Sequence, residues 1–186
     1  MTPAVFLDRD GTMIHDVHYL RTIDQIAFFP WTIDAIRALN EAGLPVVVVT
    51  NQSAIARGLL TEPDLHEIHA AMDQALQAGR ARVAAYYYCP HHVAGKVASY
   101  AIACECRKPG RALVDRAARE LHLDPRRSVV VGDNWRDVGL ARAVGAKGVL
   151  VRTGGGRFAE ANPKDGLGAD AIVDNLAAAA SWILQR

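Results

Sequence analysis

Five short apolar runs, each stopping at a polar or glycine-containing cluster, constrain this chain more than any other feature: residues 4–7, 44–49, 83–88, 128–131 and 148–151. Strands that are continuously apolar, without alternation, belong in a sheet covered by helices on both faces. The segments between them have helical spacing. Residues 32–42 place Ile33, Ile36 and Leu39 on one face and end at Gly43, and Thr61-Glu62-Pro63-Asp64 opens a helix carried by Leu65, Ile68, Met72 and Leu76 to Gly79. Further helices are expected over 112–121, 137–144 and 177–184, with a short strand at 171–173. Parallel neighbours need crossovers, so this order predicts an α/β fold with a doubly wound, mostly parallel, Rossmann-like sheet. At 186 residues, 51% of them hydrophobic and 22% charged, the chain suits one domain over residues 1–186 with a substantial core.

In such a sheet ligands bind beyond the carboxyl ends of the strands, and the polar clusters fall there. They are Asp8-Arg9-Asp10-Gly11-Thr12, Thr50-Asn51-Gln52-Ser53, Lys108 in Cys-Arg-Lys-Pro, and Asp133 with Asp137 in Gly-Asp-Asn-Trp-Arg-Asp. Phosphate esters resist nucleophiles because their oxygens are negative, so a catalyst needs positive charge around phosphorus and an aimed nucleophile. Asp8 suits the nucleophile, through an aspartyl phosphate, and Asp10 the general acid and then base. Mg2+ held by Asp8, the main chain of Asp10 and Asp133 would reconcile these acids with a phosphate, with Asp137 orienting them. Thr50, Asn51, Ser53 and Lys108 are the candidate phosphate holders.

Taken together, these four clusters resemble the motifs of the haloacid dehalogenase superfamily of aspartate-based, Mg2+-dependent phosphatases, over almost the whole chain. The resemblance implies Asp8 and Asp10, Thr50, Lys108, and Asp133 with Asp137 as that superfamily's four motifs.

All three cysteines lie in Cys89-Pro90-His91 and Cys104-Glu105-Cys106. Grouping of this kind favours a metal over disulfides, and two close-spaced pairs can form a tetrahedral zinc site from Cys89, His91, Cys104 and Cys106. His92 is an alternative ligand, and a strained Cys104–Cys106 disulfide is the redox alternative. Cys-Pro-His-His with Cys-x-Cys-Arg-Lys-Pro, Thr50 to Gly58, and Val149 to Gly154 resemble the branch containing heptose-bisphosphate and histidinol-phosphate phosphatases. That branch implies a structural zinc loop at about 89–106 in place of a large cap domain, and a substrate contact by Arg107. It implies the C7 phosphate of a D-glycero-D-manno-heptose 1,7-bisphosphate as substrate, with histidinol phosphate as the alternative. Arg57 is a second candidate for a distant phosphate. The turn after Lys108 is two residues shorter than that branch's pattern, and Asn134 stands where many heptose phosphatases carry a cation.

Gly154-Gly155-Gly156-Arg157-Phe158-Ala159 also fits a dinucleotide-binding pattern, but Pro163 follows closely, so a flexible surface loop is expected there. A non-catalytic zinc or phosphate-binding module would not need Asp8, Asp10, Lys108 and Asp133 together. His66 and His69 are expected on a helix surface, and His18 and Tyr19 near the entrance or in an ordinary loop contact. A net charge of +1 gives no footprint for nucleic acid or anionic membrane. With no leader-like start and no membrane-length apolar run, a cytoplasmic monomer acting on a small phosphorylated sugar is expected.

Overall fold

The computed structural model describes residues 1–186. Six parallel strands form one sheet: β1 (Val5–Leu7), β2 (Val46–Asn51), β3 (Ala85–Cys89), β4 (Val129–Gly132), β5 (Lys147–Val151) and β6 (Ala171–Val173). Their order is β3-β2-β1-β4-β5-β6, so the chain winds outward in one direction from β1 and then returns to begin again on its other side at β4. The crevice at that reversal, between the ends of β1 and β4, is where a doubly wound sheet binds ligands. Asp8 follows β1 directly and Asp133 follows β4 directly.

Seven helices accompany the sheet: α1 (Thr32–Glu41), α2 (Ser53–Ala56), α3 (Glu62–Ala78), α4 (Ala112–Glu120), α5 (Trp135–Val144), α6 (Gly156–Ala161) and α7 (Leu176–Leu184). Alternate residues of the central strands face opposite ways, and both faces are buried. Val5, Leu7, Val46, Val48, Val129 and Val131 pack with Ile36, Leu39, Leu65, Ile68, Met72, Leu76 and Leu176 of α1, α3 and α7. Ala4, Phe6, Val47, Val49 and Val130 pack with Leu113, Val114, Leu140, Ala141 and Val144 of α4 and α5. The double coverage explains why the strands read as unbroken apolar runs.

Local signals set the boundaries. α3 starts at a capping box in which Thr61 accepts from Asp64 N at 3.2 Å and Asp64 accepts from Thr61 N at 3.0 Å. α1 ends before Gly43, whose φ of 77° supplies the left-handed turn into β2. Two short helices depart from the sequence expectation. Strand β2 runs through Thr50 and Asn51, and the chain then turns at once into α2. The segment expected as a flexible surface loop after Gly154 is the start of α6, which ends before Pro163. Gly154 sits against Asp133 and Gly11, and Gly156 against the carbonyl of Val151, so a side chain at either would collide with backbone or with the acidic cluster. These glycines serve close packing.

Candidate active site

The strand ends and the first turns that follow them line a cavity of about 230 Å³. Asp8, Asp10, Thr50, Asn51, Gln52 and Ser53 lie along it, with Asp16, His18, Tyr19 and Leu20 on one wall and Arg107 and Arg136 also in the lining. Asp8 is 5% exposed, and its Oδ1 accepts from Arg9 N at 2.7 Å and from Lys108 Nζ at 2.9 Å. Both contacts fall on one oxygen, which leaves Oδ2 as the atom available to an incoming phosphorus.

Lys108 lies beneath the cavity, fully buried between Asp8 and Asp137. Its Nζ is 2.7 Å from Asp137 Oδ1 and donates to Val49 O at 2.8 Å. Both carboxylates raise its pKa against the opposing effect of burial, so it is charged at neutral pH. Its main chain is fixed independently: Lys108 N donates to Asn51 Oδ1 at 3.0 Å, and Asn51 Nδ2 donates to Lys108 O at 3.3 Å. The side chain of Asn51 thus ties the end of β2 to the segment carrying the lysine.

Asp10 is held by residues that sequence reasoning passed over. Arg9, at 1% exposure, places Nε and Nη2 3.0–3.2 Å from both carboxylate oxygens of Asp10. Gln52 accepts from Arg9 Nη2 at 3.0 Å and donates Nε2 to Asp10 Oδ2 at 2.9 Å and to Thr50 Oγ1 at 2.8 Å. Thr50 Oγ1 is an acceptor in that bond, which frees its hydroxyl hydrogen for a phosphate oxygen. Behind Arg9, His69 presents Nε2 to Nη1 at 3.3 Å and stacks on Tyr86. His69 is therefore buried, contrary to the expected surface position. Burial, then Arg9 and then His66, push its pKa down to about 3, so the ring stays neutral.

The third group of acids follows β4. One oxygen from each of Asp8, Asp133 and Asp137 lies within 4.8 Å of the others. Asp133 Oδ2 accepts from Gly155 N at 2.7 Å, whereas Oδ1 is buried without a hydrogen-bond partner. An orphaned anionic oxygen among like charges is what a hard divalent cation satisfies, so the donor set fits Mg2+. Burial and the Asp8 charge push Asp133 up to about 7. Burial likewise pushes Asp137 up to about 6, although Lys108 pulls it down. The carboxylate of Asp10 faces Arg9 instead, leaving only its main chain to share in such a site. Gly11, at φ 79°, brings the backbone against Asp133.

Asn134 does not leave the cavity short of a cation, as its position in the sequence suggested. It caps α5, accepting from Arg136 N at 3.2 Å, while Asp137 Oδ2 accepts from Asn134 N at 3.2 Å. Two residues on, Arg136 lines the cavity. Arg57 stands outside the lining residues, its guanidinium 5.9 Å from the Tyr19 ring centroid. Two long stretches between regular elements, 12–31 and 90–110, reach the site: the first supplies a wall through Asp16, His18, Tyr19 and Leu20, and the second reaches the cavity through Arg107.

That second stretch brings the four soft ligands together. The thiol of Cys89 lies 3.5 Å from that of Cys104 and 2.9 Å from that of Cys106, and His91 Nδ1 is 3.3 Å from Cys106. All three cysteines are free, so Cys104 and Cys106 are not joined to each other. Burial opposes ionisation of Cys104, but hydrogen bonds from Cys106 and Cys89 bring it down to about 7. Clustered donors with an accessible thiolate fit tetrahedral zinc. His92 lies outside the cluster, its Nδ1 accepting from Ala94 N at 3.1 Å. The segment between the pairs is clipped to the end of α2 by Lys96 N and Val97 N, which donate to Ala56 O at 2.7 and 3.0 Å.

An aspartate at the switch point of a Rossmann-like sheet, backed by a buried lysine and faced by further acids, defines the haloacid dehalogenase-like class of hydrolases. The HAD-hydrolase-like family model matches residues 105–179. Over 154 residues the chain is 45% identical to D-glycero-beta-D-manno-heptose-1,7-bisphosphate 7-phosphatase of Yersinia pestis, covering 82% of this chain and 81% of that one. The enzyme of the same name from Salmonella typhi is 42% identical over 177 residues, covering 94% and 92% of the two chains. A crystal structure of D,D-heptose 1,7-bisphosphate phosphatase from B. bronchiseptica, complexed with magnesium and phosphate, superposes with a TM-score of 0.87 at 34% identity and 99% coverage of both chains. The chain belongs to this heptose-bisphosphate phosphatase family of HAD-like hydrolases. It is a phosphatase of a family whose structures include a magnesium complex.

Proposed function

We propose that the chain removes the C7 phosphate of D-glycero-D-manno-heptose 1,7-bisphosphate by way of an aspartyl phosphate on Asp8. The observation that carries this reading is the free Oδ2 of Asp8, aimed at the cavity from the switch point while Lys108 occupies its other oxygen. Asp8 attacks phosphorus as the bond to the C7 oxygen breaks, and Asp10 passes a proton to that oxygen. Asp10 then takes a proton from water, which attacks the same phosphorus and releases inorganic phosphate and free Asp8. Thr50, the main-chain amide of Asn51 and Ser53 hold the phosphoryl oxygens, and Lys108, whose donors are committed to Asp8, Asp137 and Val49 O, adds its positive charge from behind Asp8. Mg2+, held by Asp8, Asp133 and the main-chain carbonyl of Asp10, supplies positive charge against the phosphoryl group when bound.

Cys89, His91, Cys104 and Cys106 are proposed to hold a structural zinc that fixes the 89–106 loop. Arg107, which follows that loop into the cavity, contacts substrate; Arg57, the second candidate for the distant phosphate, lies outside the cavity lining with its guanidinium over the Tyr19 ring. The chain works as a single domain over 1–186 and as a cytoplasmic monomer; no helix in it is long and apolar enough to cross a membrane. Histidinol phosphate ranks second, because the relatives compared above carry the heptose activity in their names. Steady-state turnover of both anomers of the heptose bisphosphate and of histidinol phosphate tests the reading. A preference for either heptose anomer supports it, and a preference for histidinol phosphate overturns the substrate.

A further inference from the structure

Four cations reach the catalytic cavity or lie beneath it, and two of them are already matched. Arg9 is paired with Asp10, and Lys108 with Asp8 and Asp137. Arg107 and Arg136 form no ion pair. Arg107 makes one contact of its own, a 3.4 Å hydrogen bond to His91 O, and Arg136 Nε is buried without a partner. Both residues line the same cavity, and burial lowers the pKa of Arg107, which the charge of Arg136 then lowers further.

The start of α5 explains why Arg136 points where it does. Successive helical residues diverge by about 100°, and the capping box at Asn134 fixes the first turn. Trp135 turns into the core, where Nε1 donates to Ala159 O at 2.7 Å. Asp137 turns to Lys108. Arg136, between them, is left facing the cavity. Asp8, Asp133, Asp137 and Asp16 all act on its charge from a distance, yet none lies within 4.0 Å.

Two half-buried guanidinium groups in one cavity, neither with a carboxylate at ion-pair distance, repel each other and lack part of their hydrogen bonding. Such an arrangement is relieved by an anion that accepts from both forks, and phosphate matches guanidinium geometry in bidentate fashion. The phosphoryl group that reacts is held elsewhere, by the Thr50 turn, with the charge of Lys108 behind Asp8. From this geometry we propose that Arg136, together with Arg107, receives the phosphate that is not transferred, and so determines the preference for a bisphosphate over the matching monophosphate. This deepens the heptose-bisphosphate reading and rests on it. It assigns to the second residue of α5 the cation that position 134 lacks in this chain.

The test compares kcat/KM for D-glycero-D-manno-heptose 1,7-bisphosphate and D-glycero-D-manno-heptose 7-phosphate, which share a leaving oxygen and differ only in the second phosphate. Wild type, Arg136→Gln and Arg136→Lys are measured on both, alongside thermal unfolding. Arg136→Gln should lower bisphosphate efficiency roughly ten- to a hundredfold, the range for losing one charge-assisted contact, and reduce monophosphate efficiency by a much smaller factor. Arg136→Lys, which keeps the charge without the fork, should fall between wild type and Gln, and it provides the comparison if Gln fails to fold. Equal losses on both substrates in either folded variant, or no loss on either, overturn the role of Arg136 while leaving the heptose reading intact. Failure of the wild type to hydrolyse the bisphosphate overturns that reading first and this inference with it.

Discussion

Replacing Lys108 with Met keeps an unbranched stem one atom shorter and removes the charged Nζ, isolating what the buried ammonium does. The substitution deletes contacts to Asp8 at 2.9 Å, Asp137 at 2.7 Å and Val49 O at 2.8 Å, all inside the protein. The bracket between Asn51 and the Lys108 main chain does not depend on the side chain and should survive. Removing one partner of a buried ion pair leaves an uncompensated charge and costs about 3–5 kcal/mol. In a domain of this size each kcal/mol corresponds to about 2–4 °C in Tm, so a fall of roughly 6–20 °C follows. The loss should depend on pH. Asp137 already titrates at about 6 with the lysine beside it, and losing Lys108 removes the largest influence lowering that value. The variant's Asp137 should therefore bind its proton at higher pH and escape part of the penalty in mild acid. Each unit of added upward shift recovers about 1.4 kcal/mol at pH values low enough to protonate the group. Thermal and urea unfolding at pH 5, 6, 7 and 8, without added Mg2+, measures this. A penalty below about 1 kcal/mol, or one that stays constant across that range, would refute the argument that the pair is a buried, mutually dependent unit.

Other expectations can be checked separately. Protein purified without added metal should contain about one zinc per chain, and Cys106→Ser should lower both the zinc content and Tm; zinc-free protein with Cys104 and Cys106 oxidised to each other would rule the site out. Burial lowers the folded-state pKa of His69 to about 3, so the unfolded chain binds the extra proton first. The stability this neutral ring contributes is present above about pH 6.5 and lost as pH falls toward 3, at up to about 1.4 kcal/mol per unit. His69→Gln should remove that component of the slope, and identical pH dependences for variant and parent would contradict it. Asp133 is shifted the other way, to about 7, and must lose its proton to bind a cation. Mg2+ affinity measured by calorimetry should therefore weaken by up to about tenfold per pH unit below 7; an affinity constant from pH 5 to 8 would exclude Asp133 as a ligand.

The parallel sheet was legible because burial on both faces leaves long apolar runs, and the chain interrupts those runs where the sheet exposes its catalytic end. Asp8, Thr50 and Asp133 could be picked out for the same reason: a polar cluster at the end of a buried strand has few structural uses. Lys108 lies instead in the segment between β3 and α4 and was legible only through the motif it completes with the other three. Helix α2, at four residues, is too short to show a period. Helix α6 was hidden because its glycines resemble a loop, although their role is to let the backbone approach Asp133 and Val151. Arg9 stands between two aspartates and belongs to no pattern of its own. Its near-complete burial comes from partners distant in sequence, Gln52 and His69, which no local pattern links to it. His69 falls on a helix whose acidic and amide residues read as an exposed face, and only the tertiary position of Arg9 makes that point interior. Arg136 offered one readable signal. Asn134 and Asp137 form a capping-box pair, and recognising it would have placed residue 136 on the first turn of α5, at the mouth of the site.

The central claim is that phosphate passes through a covalent bond to Asp8, and trapping that species tests it most directly. Asp10→Asn protein, impaired in activating water, is mixed with the heptose bisphosphate and Mg2+, quenched in acid within milliseconds to seconds, and digested for peptide mass spectrometry. The account predicts a phosphoryl adduct on the peptide containing Asp8, absent when Asp8→Asn is added to the same background. A phosphoryl group on any other residue, or near wild-type turnover by Asp8→Asn alone, would contradict it.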